Sequence, residues 1–190
     1  MRRLVLLALL ALGVAGCASA TIVVPVSVKA PPQTARPHWK EPYPAVAPAL
    51  VFGVTRFAIT REGWEADISV ENRSSVGWKV GDMKAGEPAF GVLLFPDDDL
   101  GALERRSRGG DLPAIRAATS YNPALPLVLG PDKTWKGTIA APGALAGGLW
   151  IRLSFGPFIS VGKPPEGAAA LVVWFTDHAL RLEQVAAEPA

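Results

Sequence analysis

The side chains able to do chemistry in this 190-residue chain are few and scattered. Its only cysteine is Cys17, and its two histidines are His38 and His178. A blue-copper centre needs two histidines and a thiolate, and a structural zinc site usually needs four cysteine or histidine ligands. Cys17 ends an apolar N-terminal run and is committed elsewhere, so neither centre can be assembled. His38, beside Trp39 in a proline-rich stretch, reads as a solvated linker residue, and His178, after Asp177, as a turn or strand-edge residue. Asp97, Asp98 and Asp99 form the acidic cluster of the chain. Calcium loops alternate oxygen ligands and place a glycine and a later glutamate at set distances. Asp97 and Asp99 keep the first interval and Glu104 follows, but Gly101 comes too early, so a solvated hairpin turn after Phe95 is expected. No G-x-S-x-G elbow is present, and Ser154 and Ser160 are the serines near His178 in sequence. Glu65 and Asp67 share the solvent face of a strand, which is no place for a glycosidase pair. No catalytic set, metal or cofactor is assigned.

Two features suit contact rather than catalysis. Arg105, Arg106 and Arg108, with Arg116 beyond, make a local basic patch near Glu104 and Asp111. Such a patch suits anionic lipid headgroups or a polyanionic wall polymer, and the alternative is a plain solvated loop partly paired with Glu104 and Asp111. Alternation also places Trp150 with Arg152 and Ser154, opposite Ile151, Leu153 and Phe155. An aromatic side chain exposed there would offer a platform to a protein or a glycan, whereas one covered by a loop or the tether would be structural. Arg105, Arg106, Arg108, Trp150 and Arg152 are therefore the candidate binding residues.

The elements that must position these groups read as β. In Gly63 to Glu71, Trp64, Ala66, Ile68 and Val70 alternate with Glu65, Asp67, Ser69 and Glu71. Period two with one charged face predicts a strand with one side on the core. Asn72 to Ser75 supply a turn, and Val76, Trp78 and Val80 resume the alternation. Further strands are expected at 51–60, 90–95, 133–140, 149–155 and 169–176, with turns at Gly130–Lys133 and Lys163–Gly167. Trp64, Trp78 and Trp135 are expected in the core. Asp98 to Thr119 carries Leu100, Leu103, Leu112 and Ile115 among charges, and one or two short helical turns are expected there. The pattern predicts an all-β fold, an antiparallel sandwich or barrel of about seven to nine strands over residues 50–187.

Arg2 and Arg3 precede the apolar run Leu4 to Val14. About eleven residues at ~1.5 Å each reach only ~16 Å, too short for a bilayer core of ~30 Å. A cleaved export signal over residues 1–16 is therefore expected. Val14-Ala15-Gly16-Cys17 resembles the lipobox of bacterial lipoproteins, and that resemblance implies a lipid on the Cys17 thiol and cleavage before it. Ala18-Ser19-Ala20 offers a second site, at which cleavage would discard Cys17. Seven prolines between Pro25 and Pro48 favour an extended tether over residues 17–49, with Thr21 to Val28 as a possible edge strand.

Loss of Arg2 and Arg3 reduces nineteen basic residues to seventeen, equal to the seventeen acidic ones. That balance gives no argument for a nucleic-acid partner. Val70-Glu71-Asn72 and the later stretch Leu129 to Ile139 resemble immunoglobulin-like or telokin-like extracellular domains of bacterial lipoproteins, with Asp132 where that turn usually has glycine. The resemblance implies a β-sandwich and carries no functional residues across. The reading is a non-enzymatic lipoprotein of the bacterial cell envelope, held on the extracytoplasmic side of a membrane by Cys17 and docking on another envelope protein. Binding of a small ligand or glycan through Trp150 is the alternative.

Overall fold

The computed structural model describes residues 28–81 and 90–184. Cys17, both cleavage sites and all but the last residue of Thr21–Val28 lie outside them. One antiparallel sheet contains β1 (Gln33–Ala35), β2 (Trp39–Tyr43), β3 (Leu50–Ile59), β4 (Gly63–Asn72), β8 (Ser120–Asn122) and β10 (Thr134–Pro142). Its order is β1-β3-β4-β10-β8, and β2 pairs with the start of β3 while β1 pairs with its end. The second sheet contains β5 (Trp78–Val80), β6 (Phe90–Phe95), β7 (Arg116–Ala117), β9 (Val128–Leu129), β11 (Trp150–Ser160), β12 (Leu171–Phe175) and β13 (Leu180–Arg181). Here β11 is central, with β5 and β6 on one side and β12 and β13 on the other.

The two sheets form an all-β sandwich closed by aromatic side chains. Phe52 of β3 lies 5.1 Å from Phe155 and 5.6 Å from Phe158 of β11, and Phe90 lies 6.3 Å from Trp135. Each such side chain contributes on the order of 2–3 kcal/mol through burial. Trp64, Trp78 and Trp135 are all buried, as their alternation required. In β4 the apolar residues are buried and Glu65, Asp67, Ser69 and Glu71 are half-exposed. Asn72 ends that strand inside the molecule. Its Nδ2 donates to the carbonyls of Val76, Leu129 and Gly130, and its Oδ1 accepts from Ser74 N–H and Oγ. The two stretches that carried the sandwich resemblance thus touch, and Asp132 adopts a left-handed φ of 54° in the turn between β9 and β10.

Two expectations are corrected. The proline-rich segment is part of the packed sheet by Gln33, because β1 and β2 find backbone partners along β3 and Pro42 falls in an edge strand, where its missing N–H costs nothing. After Phe95 the chain forms no bare hairpin turn. It enters α1 (Leu100–Gly109), capped by Asp99 Oδ1, which accepts from Gly101 N–H at 2.8 Å, and ended by Gly110 at a φ of 70°. Among the described residues no helix is long and apolar enough to cross a membrane.

Candidate functional site

Helix α1 creates a third layer. The outward face of the second sheet would be bare on a two-layer sandwich, yet Leu93, Phe95 and Leu103 are buried there. Trp150, Phe175, Leu112 and Ile115 pack against them. Trp150 is therefore not an exposed platform: it sits opposite Phe95 in the register and is half-buried beneath the connection. Arg152 departs further from its expected place on a surface, being 1 % exposed. Its guanidinium donates to the carbonyls of Thr176 (2.8 Å), Asp177 and Asp98 (2.6 Å). Burial presses its pKa downward while Asp177, Glu41 and Asp98 push it back up. The side chain pins the start of α1 to the turn after β12, which is a structural task.

Glu41 grips that same turn from the opposite side. It sits on the edge strand β2, is 3 % exposed, and accepts from Trp174 Nε1 (2.8 Å), Asp177 N–H (2.9 Å), and His178 N–H (3.1 Å) and Nδ1 (2.8 Å). Trp39 stacks on His178 at 5.6 Å, and Tyr43 Oη accepts from Ala169 N–H. One strand of the first sheet thereby clasps the edge of the second. The turn 176–178 has its carbonyls held by a cation and its N–H groups by a carboxylate. A buried carboxylate with four donors offsets its own desolvation.

Between α1 and β12 runs a groove of about 470 Å³. Leu100, Leu103, Val173 and Phe175 give it an apolar floor, and Glu104, Ser107, Arg108 and Asp177 rim it. Burial raises the pKa of the Asp177 carboxyl above the ordinary aspartate value, and the Glu41 charge adds to the rise. Of the helix arginines, Arg108 reaches the groove, whereas Arg105 pairs with Asp99 at 3.2 Å, both exposed. The half-buried Arg106 caps the helix end through its carbonyl, which accepts from Asp111 N–H at 3.0 Å. Arg116 lies on the separate strand β7.

No family model, no curated protein and no solved structure matches this chain.

The candidate binding residues thus divide. The arginines lie on the helix, and Trp150 and Arg152 lie beneath it. No serine hydroxyl meets His178 among the described hydrogen bonds, where its ring nitrogen Nδ1 is bound to Glu41. Ser154 Oγ is buried and has no partner, and Ser160 Oγ donates to Gly162 O. The clasp itself escaped the sequence reading. Glu41 stands 137 positions before His178, inside a segment whose prolines point to a tether. The one available signal was the alternation of Trp39, Glu41 and Tyr43 through that segment, with Lys40 and Pro42 between.

Proposed function

We propose that this protein is a non-enzymatic lipoprotein of the bacterial cell envelope, anchored through Cys17, whose immunoglobulin-like sandwich docks on another envelope protein. The observation that carries the docking part is the edge strand β12. Among the described residues it pairs only with β11, and its side chains Leu171 and Val173 are 57 % and 40 % exposed, with Val173 lining the groove under α1. An edge strand with unpaired backbone and a neighbouring apolar groove suits an extended segment of a partner that adds as a further strand. Alternate side chains of that segment would enter the groove, with Arg108 at its rim to meet a carboxylate. The arginines of α1 are then the polar border of the contact, while Trp150 and Arg152 support it from below.

The test is cross-linking in intact cells followed by mass spectrometry of the purified complex. A partner captured by wild type and lost in Val173→Lys or Arg108→Glu supports the reading. Retention by both variants, each folded as judged by circular dichroism, overturns the groove as the docking surface. The same spectra report the mature N-terminus. Acylated Cys17 supports the anchor, and Thr21 at the N-terminus overturns it.

A further inference from the structure

The sheet turned away from α1 carries a second surface feature on its outward face. Strand pairing aligns Lys40 of β2 with Gly53 of β3, Gly53 with Ser69 of β4, and Ser69 with Lys136 of β10. These four residues form one row across four strands. Three interstrand steps of about 4.8 Å separate its ends by about 14 Å along the sheet. The two lysines therefore flank the two smallest side chains of the row, and the surface between them is a trough of about 490 Å³. At Gly53 an added Cβ would lie 2.4 Å from Ser69 Oγ, so a larger residue there would force the serine hydroxyl to turn aside. Thr55 and Thr134 add exposed hydroxyls along its length.

The charges around this trough do not cancel. Arg73 holds the Glu71 carboxylate with two bonds, at 2.8 and 3.1 Å, and keeps its pKa below the ordinary value, with Lys40 and Lys136 contributing. Neither lysine forms an ion pair among the described residues. Two unpaired lysines thus line the trough beside a carboxylate that Arg73 already holds, so the field favours an anion. Glu71 and the hydroxyls favour a particular kind of anion. A bare polyphosphate would be repelled by Glu71 and has no O–H or N–H to give it, whereas a sugar chain can donate hydroxyls to Glu71 and accept from Ser69 and Thr134.

We propose that the Lys40–Gly53–Ser69–Lys136 row binds an acidic oligosaccharide that lies across the strands, its carboxylates toward the two lysines and its hydroxyls on the trough floor. This site is on the sheet opposite the proposed docking groove, so either proposal survives failure of the other.

Titration of the purified protein with oligogalacturonate, followed by ¹⁵N NMR and calorimetry, tests it. A neutral oligosaccharide of equal length and inorganic polyphosphate serve as competing probes. The expected result is saturable binding of oligogalacturonate, weakened about tenfold or more in the double variant Lys40→Glu/Lys136→Glu and unchanged in Lys163→Glu. Absence of binding overturns the proposal, as does equal affinity for either competing probe. Should the double variant not fold, the wild-type spectra decide. Shifts centred on the amides of Lys40, Gly53, Ser69 and Lys136 support the site, and shifts centred elsewhere overturn it.

Discussion

The outward faces of the two sheets meet different fates. On the first sheet, β4 presents Glu65, Asp67, Ser69 and Glu71 to solvent, with Arg56 against Glu65 and Thr138 Oγ1 donating to Asp67 at 2.7 Å. On the second, β11 is buried from Ile151 to Gly156 on both sides, because α1 and the connection after it cover what the sandwich leaves bare. The first face is a polar surface resting on one core. The second is a wall between two cores. Residues that look alike in the chain therefore have different energetic weight, as Arg56 and Arg152 show. One pairs half-exposed across a solvated sheet, and the other is sealed between layers.

The sharpest way to break this contrast is at Arg152. Arg152→Met leaves the carbonyls of Thr176, Asp177 and Asp98 without their donor, and a loss of about 3 kcal/mol is expected in urea unfolding. A loss under ~1 kcal/mol would return Arg152 to the surface class. Next comes Leu103, the buried anchor of α1. Leu103→Ala is expected to cost about 2–3 kcal/mol and to shift tryptophan emission to the red as Trp150 gains water. Unchanged emission together with unchanged stability would mean that the helix covers nothing of consequence. Glu65→Ala, on the solvated face, is expected to cost under ~1 kcal/mol by the same measurement, since its pair with Arg56 is half-exposed.

The smallest effect is a pH dependence at the rim of the groove. The folded-state pKa of Asp177 is raised, so the folded state holds its proton more tightly than the unfolded chain does. Its contribution to stability is complete below the ordinary aspartate pKa and is lost as pH rises through the raised value. Asp177→Asn is therefore expected to be slightly more stable than wild type at neutral pH and to lose that advantage in acid. Thermal melts at pH 3 and pH 7 check the sign, and an advantage of equal size at both would refute it.

Several elements were legible because one local rule decided them. Trp64 through Val70 alternate with charge, and only a half-buried strand satisfies both sets of side chains. The helical turns expected within Asp98–Thr119 are present as α1, although the role of Asp99 as its cap was not seen. β2 was missed because prolines normally mark an extended linker, and only pairing with β3 makes Trp39–Tyr43 a strand. Alternation puts Trp150 and Arg152 on one face without saying what covers it. A loop over Trp150 therefore stays one of two readings, and the burial of Arg152 is not legible.

The sequence by itself determined the β character, the three core tryptophans and the turns that divide the strands, since periodicity and turn chemistry act over a few residues. It also carries the lipobox resemblance on which the proposed anchor rests. Only the tertiary structure decided that Glu41 and His178 meet, that Arg152 is a pin between layers, and that Lys40 and Lys136 flank one trough. Each of these depends on which strands neighbour one another. Strand order is settled by the joint burial of two sheets and a helix, a property of the whole chain that no local window contains.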